Sequence, residues 1–303
     1  MFSTIRLKEK PEVRIGPQCN DPYTCPLHET CWNHLSEGNV TELYRGGAKR
    51  FQLLVRGTTA IADIPDDFKL TDNQEIQRQA AKTGRPHVNK SAIRAFLETI
   101  KYPAAYLDFE TWSAAIPLLN GVRPYEQIVF QYSLHVQRSP GAKPEHFSHL
   151  AQGTGDPRPE FMRSLRAALP TEGSVITFNS SFEAGRLKEC CGLMPEFQPW
   201  VTNIQRRMVD LLVPFRKFHF YDPKQSGSCS MKFVLPALTG TSYDHLPIRD
   251  GTAASLQYLR ATFGNVSDAE RNRIRNDLDQ YCCLDTFGMF AITEALKALA
   301  SSM

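Results

Sequence analysis

Length, composition and charge describe an ordinary globular protein of one large or two smaller domains, with 303 residues, 42% of them hydrophobic, and a formal net charge of +3. So mild a charge does not by itself indicate a nucleic-acid-binding protein, but it is compatible with a locally basic groove. No run approaches the roughly 20 apolar residues of a membrane span, and residues 1–10 hold no apolar signal core. We therefore expect a cytoplasmic protein with no membrane partner, whose eight cysteines are thiols or metal ligands and not disulfides.

Three regularly spaced cysteines mark the N-terminal region. Cys19, Cys25 and Cys31 are separated by five residues each, among prolines and short polar residues typical of a loop. Thiolates in such a setting suit zinc or an iron–sulfur cluster, and the alternative is three unrelated loop cysteines. His28 or His34 could complete a zinc site; alternatively a fourth cysteine would come from elsewhere in the chain, with Cys229 as the candidate, or from sequence that this chain lacks.

The rest of residues 1–100 is predicted to form a small α+β region. We expect one or two short strands in residues 53–64, around Gly57, then a helix capped by Thr71 and a short helix over residues 91–97. This region has no cluster of acids, so we expect no catalysis within it. The predicted domains are residues 1–100 and residues 101–303.

A short apolar run ending in two acids opens the second predicted domain. Residues 104–107 suit a buried strand, and Asp108 and Glu110 follow two residues apart. Residues two apart on a strand point to the same face, so the strand would place two carboxylates side by side. Like charges that close are costly unless a cation lies between them or one is protonated, which predicts a divalent metal site.

The remaining elements alternate between strands and helices. Strands are predicted over residues 128–136, 147–150, 174–178 and 208–212, and helices over residues 159–169, 182–191, 231–238 and 253–263. A long last helix begins after Ser267, which with Glu270 fits a capping box. Three strands in sequence followed by alternating helices and strands predict an α/β fold with a mixed five-stranded sheet and helices on both faces.

Further candidate ligands lie on these later elements. Glu183 falls in the first turn after a strand, and Asp285 lies on the last helix four residues after Tyr281, on the same helical face. Magnesium and manganese prefer oxygen ligands, and two such ions can activate water and hold both oxygens of a phosphodiester displacement. A tyrosine hydroxyl can orient that water. Each motif alone is common: Asp-x-Glu occurs by chance, and the others fit a helix cap or a solvated helix face.

Taken together and in this order, Asp108-x-Glu110, Asn179-x-x-x-Glu183 and Tyr281-x-x-x-Asp285 resemble the three motifs of the DEDD 3′→5′ exonucleases. The resemblance implies an RNase H-like fold, two Mg²⁺ or Mn²⁺ ions bound by the four carboxylates, and a water-orienting Tyr281. The tyrosine subclass, similar to DnaQ-like enzymes, fits because Gln280 occupies the position of the histidine in the other subclass. One departure is Glu183, where the motif normally carries Asp.

A wider resemblance, over about residues 16–299, is to a bacterial family that joins a RecB-like, CRISPR-associated-type nuclease region to a DEDD exonuclease domain. It is carried by Cys19–Trp32, Arg123–Tyr125, Phe130–His135 and Ser228–Pro236. It implies a 4Fe–4S cluster at the cysteines, with one further cysteine upstream, and an upstream nuclease domain or partner chain that this chain lacks.

The expected function is thus a metal-dependent exonuclease on the 3′ end of DNA or RNA. Asn179 and Lys232 are candidate substrate-binding residues, although a cap and a solvated lysine explain them equally well. The competing interpretation is a nucleic-acid-binding or scaffold module of a DNA repair or defence assembly, which cleaves poorly because of Glu183.

Overall fold

A computed structural model describes Arg6, Lys8 and residues 13–301 of the chain. The prediction that the start lacks an apolar signal core concerns residues 1–10, most of which lie outside the described residues. The α-helices of the described part are α1 (His28–Trp32), α2 (Ala48–Val55), α3 (Asp72–Thr83), α4 (Lys90–Leu97), α5 (Arg158–Ala168), α6 (Ser181–Leu193), α7 (Gln198–Arg207), α8 (Val213–Arg216), α9 (Met231–Thr239), α10 (Gly251–Phe263) and α11 (Asp268–Ser301).

The strands follow the predicted order in the second half of the chain. They are β1 (His87–Val88), β2 (Ala104–Trp112), β3 (Ile128–Gln137), β4 (Glu145–Leu150), β5 (Ser174–Thr177), β6 (Met208–Asp210) and β7 (Phe220–Tyr221). Among the described residues, no helix combines the length and the apolar character needed to cross a bilayer.

The chain divides into two units. The first runs to His87 and adds Tyr221–Ser228; the second contains residues 88–220 and everything from Cys229 onward. Helix α4 therefore belongs to the second unit, where its Ile93 is fully buried in the core.

The first unit differs from the prediction between residues 53 and 64. The strands expected around Gly57 are absent there: α2 ends at Val55 and a 3₁₀ turn follows at Ile61–Asp63. Gly57 has φ +82°, and its N–H donates to the carbonyl of Leu54 while the N–H of Thr58 donates to that of Leu53. These bonds form a Schellman motif, so this glycine ends a helix instead of turning a strand.

The second unit confirms the predicted α/β class and the mixed five-stranded sheet. The strand order is β4-β3-β2-β5-β6. Strands β2, β3 and β4 pair antiparallel, whereas β5 pairs parallel with β2 and β6 parallel with β5. Parallel strands end at the same edge of a sheet, so β2, β5 and β6 bring the residues that follow them together.

Helices cover both faces of this sheet, as predicted. Ala104 and Tyr106 of β2 pack into a core that contains residues of α9, α10 and α11. Ala105, Leu107 and Phe109 point the other way, into a core shared with α5, α6 and α7. The alternation follows from the two-residue period of a strand, and it assigns Asp108 and Glu110 to the face covered by α11.

Candidate metal centre

Asp108 and Glu110 lie at the carboxyl end of β2, on one face of the sheet. They pair with Ser133 and Gln131 of β3, and the register shifts immediately after Glu110, at a bulge with Thr111. Bulges re-aim side chains and are frequent next to functional sites. Glu110 is only 6% exposed. The sequence-predicted pair is therefore present, with Glu110 buried, Asp108 partly buried, and a register shift of the β2–β3 pairing directly after Glu110.

A cysteine, Cys282, lies beside this pair. One ligand atom each from Asp108, Glu110 and Cys282 lies within 4.8 Å of the other two. Cys282 is on α11, directly after Tyr281, and is fully buried. The sequence gives little indication that Cys282 belongs to the site, because a buried cysteine on a helix is usually an inert apolar residue. Its position between Tyr281 and Asp285 was the one hint.

Helix α11 brings Asp285 and Tyr281 to the same place. Asp285 is 6% exposed. Burial, followed by the charge of Asp285, raises the pKa of Asp108 and of Glu110. The charges of Glu110 and Glu183 raise the pKa of Asp108 further. Burial raises the pKa of Asp285 itself to about 7, although hydrogen bonds to Tyr243 and Tyr281 oppose this rise. The structure thus unites the first and third predicted motifs.

Tyr243 is a functional candidate that the sequence did not reveal. Its Oη donates to Oδ1 of Asp285 at 2.6 Å, and its ring centroid is 6.0 Å from that of Tyr281. Burial, followed by the charge of Asp285, raises the pKa of both tyrosines, so both remain neutral hydrogen-bond donors. Tyr243 lies in the loop between α9 and α10, where no sequence periodicity places a side chain.

Glu183 is placed by the turn between β5 and α6. It lies in the first turn of α6, it is 2% exposed, and its Oε2 has no hydrogen-bond partner among the described residues. Burial raises the pKa of Glu183 to about 8, and the charge of Asp210 adds to the rise. Its own charge raises the pKa of Asp108. Glu183 is therefore close to the other acids, but it is not part of the tight group that Asp108 and Glu110 form with Cys282.

Asn179 holds the turn that delivers Glu183. It has φ +84°, a left-handed conformation that asparagine tolerates better than most residues, and its N–H donates to Oδ1 of Asp210 at 2.9 Å. The same oxygen accepts the N–H of Leu212 at 3.0 Å, as expected for an aspartate that holds a strand end. The side-chain oxygen of Asn179 accepts from Ser181. These contacts describe a residue that shapes the backbone, while its predicted role in substrate binding stays a prediction.

A cavity of about 750 Å³ opens over the acids. Asp108, Glu110, Tyr281, Asp285 and Tyr243 line it, and Lys232 lies at its exposed side. The other lining residues include the hydroxyl-bearing or amide side chains of Ser230, Thr252, Ser255 and Gln127 and the apolar side chains of Phe178, Phe182, Met231 and Leu256. Neither Glu183 nor Asn179 is among the lining residues. The cavity thus has an acidic floor and a mouth of mixed apolar and polar character.

The acids have no cationic side chain paired with them in the described part of the chain. No ion pair in the described part of the chain involves Asp108, Glu110, Glu183 or Asp285, and Lys232 only lowers the pKa of Glu110 and Asp285 from a distance. Buried carboxylates without a partner must bind protons or a metal ion. The unpartnered Oε2 of Glu183 and the all-oxygen set of carboxylates favour Mg²⁺ or Mn²⁺.

The N-terminal cysteines lie in the first unit and are arranged differently. Backbone bonds link Cys25 to the carbonyl of Cys19 and His28 to that of Cys25, and α1 carries Cys31. Within the described residues, the groups of three or more close metal-ligand atoms do not include these three sulfurs. His28 stacks on Trp32, with ring centroids 4.2 Å apart. Cys229 belongs to the second unit, where its Sγ donates to the carbonyl of Phe215. The zinc or iron–sulfur site stays a prediction.

Comparison with known proteins gives relatives without an assigned function. A family model described as "Domain of unknown function (DUF2779)" matches residues 105–230, which include Asp108, Glu110 and Glu183. The chain is 25% identical over 238 residues to Uncharacterized protein UU173 of Ureaplasma parvum, covering 72% of this chain and 34% of that protein. It is 27% identical over 219 residues to Uncharacterized protein MG366 of Mycoplasma genitalium, covering 66% of this chain and 33% of that protein. The chain therefore spans about a third of the length of the curated relatives it matches, and no solved structure matches it significantly.

Proposed function

We propose that this chain is a metal-dependent 3′→5′ exonuclease that hydrolyses phosphodiester bonds of DNA or RNA. The observation that carries the proposal is that the charges of Asp285, Glu110 and Glu183 all raise the pKa of Asp108, while none of these four acids forms an ion pair in the described part of the chain. Such an arrangement is destabilising unless the carboxylates bind protons or a cation. Perturbed acids that gather in a cavity are typical of a functional site.

The fold supports the same proposal. Three antiparallel strands followed by two parallel ones, with the acids at the shared edge and helices on both faces, agree with the RNase H-like fold that the DEDD resemblance implies. The order of the motifs along the chain also agrees: the first pair ends β2, Glu183 begins α6 and Asp285 lies on α11.

Asp108, Glu110, Asp285 and Glu183 would hold the Mg²⁺ or Mn²⁺ ions. Bound there, two such ions supply a Lewis acid for the scissile phosphate and a lowered pKa for the attacking water. Tyr281 lines the same cavity and carries a neutral hydroxyl, so it is suited to orient that water by hydrogen bonding. Tyr243 orients Asp285 through its 2.6 Å hydrogen bond.

The mouth of the cavity suits the end of a nucleic-acid strand. Lys232 offers a positive charge to a phosphate, and Ser255 and Thr252 offer hydroxyl groups. Phe178 and Phe182 present aromatic surface, on which nucleic-acid bases stack without regard to sequence. These features support a DNA or RNA substrate but do not favour one over the other.

The N-terminal unit adds two proposals that rest on the resemblance alone. The first is that Cys19, Cys25 and Cys31 bind a 4Fe–4S cluster or zinc. The second is that the chain works with an upstream nuclease domain or a partner chain. Metal analysis and absorption spectra of anaerobically prepared protein test the first, because stoichiometric zinc without iron would exclude the cluster.

One observation favours a second candidate function, a nucleic-acid-binding or scaffold module of a DNA repair or defence assembly. Glu183 replaces the aspartate of the motif and does not line the cavity, although Asp108, Glu110 and Asp285 do. If Glu183 cannot complete the metal site, the same cavity would hold a strand end without cutting it. The experiment below separates the two functions.

The test is incubation of 5′-labelled single-stranded DNA and RNA with the full chain and Mg²⁺ or Mn²⁺. We expect stepwise shortening from the 3′ end, and a loss of at least about 1,000-fold in rate for Asp108→Asn and Asp285→Asn, which equals about 4 kcal/mol of transition-state stabilisation. Asp277→Asn is the matched control: it removes a carboxylate from the same helix but lines no part of the cavity, so its rate should stay near that of the parent.

Binding of a 3′ end without shortening, under both metals, would contradict the exonuclease and support the binding module. Shortening that survives in Asp108→Asn and Asp285→Asn would show a contaminating nuclease. Calcium should permit binding with slow turnover, because its looser coordination positions water poorly.

A further inference from the structure

A second group of metal-ligand atoms lies outside the carboxylate cavity. One ring nitrogen each of His135 and His146 and the Sγ of Cys283 lie within 4.8 Å of one another. His135 is on β3, His146 on β4 and Cys283 on α11, so residues far apart in the sequence converge here. The proposed nuclease makes no use of these three residues.

Both imidazoles are already held in place by hydroxyl groups. Nδ1 of His135 is 2.7 Å from Oγ1 of Thr286, and Nε2 of His146 is 2.9 Å from Oγ of Ser133. The two hydroxyls are themselves 2.6 Å apart, which completes a chain of hydrogen bonds between the rings. Histidines that bind metals are typically oriented through one ring nitrogen in this way, while the other nitrogen serves as the ligand.

The group borders a second cavity, of about 440 Å³. His146 and Cys283 line it together with His245 and Asp279, and Nε2 of Gln131 fixes the Asp279 carboxylate at 3.0 Å. His146 is solvent-exposed, so an ion can reach the group from solution. A coordination position left open by the three ligands would face donors that are already present in this cavity.

We propose that His135, His146 and Cys283 form a binding site for a borderline-soft transition metal ion, with Zn²⁺ as the fitting ion. Two imidazole nitrogens and one thiolate match the ligands that zinc takes in proteins, and three protein ligands plus one open position make a common set. Mg²⁺ and Mn²⁺ disfavour such ligands, so this site and the carboxylate cavity select different metals. The inference does not depend on the proposed nuclease activity.

Two adjacent cysteines of α11 belong to two different groups of potential metal ligands. Cys282 lies with Asp108 and Glu110, and Cys283 lies with the two histidines. A bound ion at Cys283 would tie β3 and the edge strand β4 to the helix that carries Tyr281 and Asp285. We therefore expect zinc to raise the melting temperature, since it binds the folded chain and not the unfolded one.

Cobalt titration tests the site, because Co²⁺ bound by thiolate and imidazole absorbs in the near-ultraviolet and the visible. The full chain should carry Cys19→Ser, Cys25→Ser and Cys31→Ser, so that the N-terminal thiols cannot contribute. We expect one thiolate-bound Co²⁺ per chain, displaced by an equivalent of Zn²⁺ but not by millimolar Mg²⁺. Cys283→Ala should abolish the thiolate band, and His146→Ala should weaken Co²⁺ affinity by at least about tenfold.

Cys282→Ala is the matched control, since it removes the adjacent thiol from the same helix and should keep the thiolate band. The proposal is overturned if the parent shows no thiolate band, or if the band survives Cys283→Ala and disappears in Cys282→Ala, which would assign the thiolate to the carboxylate cavity. His146→Ala keeps the test decisive if Cys283→Ala fails to fold, because His146 is exposed on an edge strand. Unchanged Co²⁺ affinity in a folded His146→Ala protein would also refute the site.

Discussion

The acids around the cavity and the N-terminal cysteines are both sets of potential metal ligands, but different backbones carry them. Asp108 and Glu110 lie on a strand, and Tyr281 and Asp285 on a helix, where spacing fixes which face a side chain occupies. Cys19 and Cys25 lie in or beside a short 3₁₀ turn, and Cys31 on a five-residue helix. The structure gathers the acids around one cavity but does not bring the three sulfurs together in the same way.

The difference shows that the spacing of residues in the sequence predicts their relative positions only within a strand or a helix. A two-residue interval on a strand, or a four-residue interval on a helix, determines direction, and the sheet edge then collects several elements. An equal interval in a loop determines only the length of chain between ligands. The spacing of the cysteines in residues 19–31 therefore predicts no particular geometry, whereas the spacing of the acids on β2 and α11 predicts which side chains share a face.

Among the variants that compare the two regions, the largest effect should come from Glu183, the acid that departs from its motif. Because its carboxylate is buried and unpartnered, Glu183→Gln should lower the rate of 3′ shortening by about 100-fold, or about 2.7 kcal/mol. Glu183→Asp restores the usual motif residue and should retain activity. Replacing Cys19, Cys25 and Cys31 together by serine should leave the rate within about twofold of the parent. Steady-state rates with saturating Mn²⁺ measure all three variants.

Either of two results would contradict this difference between the acid cluster and the cysteine segment. If the triple serine variant loses activity while its second unit stays folded, the cysteine segment takes part in cleavage. If Glu183→Gln retains full activity, the metal site is complete without Glu183, and its burial needs another explanation.

A smaller effect should distinguish the two phenols inside the acid cluster. Tyr281→Phe removes the hydroxyl proposed to orient water, so we expect about a tenfold loss in kcat with unchanged Mn²⁺ affinity. Tyr243→Phe removes the hydrogen bond to Oδ1 of Asp285 and should instead weaken Mn²⁺ binding, with a smaller change in kcat at saturating metal. Mn²⁺ titrations followed by kcat at saturation separate the roles, and equal effects of both variants on both quantities would argue against this division.

Much of the second unit was predictable because regular periodicity runs through it. The apolar run of residues 104–107 predicted β2, and the capping box at Ser267 with the helical spacing after it predicted α11; the Oγ of Ser267 accepts the N–H of Glu270 at 3.2 Å. The prediction of strands in residues 53–64 was wrong, because the sequence around Gly57 does not distinguish a glycine that ends a helix from a glycine in a turn between strands. Helix α7 was missed, since Pro199 and Trp200 in its first turn weaken a helical pattern.

The site was predictable to the extent that its residues lie on patterned elements. Asp108, Glu110 and Asp285 follow from strand and helix periods, but Tyr243 reaches Asp285 from a loop. Cys282 and Cys283 look equivalent in the sequence, and only tertiary packing sends them to different clusters. Long-range convergence of this kind has no local signal, because it depends on how α11 is rotated against the sheet.

The smallest effect we predict is a pH dependence that reports on the acids. In the metal-free protein the pKa of Glu183 is about 8 and that of Asp285 about 7, both above their ordinary values. Between pH 7 and pH 8 the folded chain therefore binds more protons than the unfolded chain, so its free energy of unfolding must fall as pH rises. We expect Glu183 to contribute a fall of about 1 kcal/mol across this interval; the histidines and thiols also titrate there, but their contribution is shared by the parent and Glu183→Gln. Glu183→Gln should flatten the slope, and Mn²⁺ should stabilise the protein more at pH 8 than at pH 7, because it replaces protons that leave. Chemical denaturation at both pH values, with and without Mn²⁺, measures this; a slope that is unchanged by Glu183→Gln and by metal would show that the acids are not a coupled, cation-binding group.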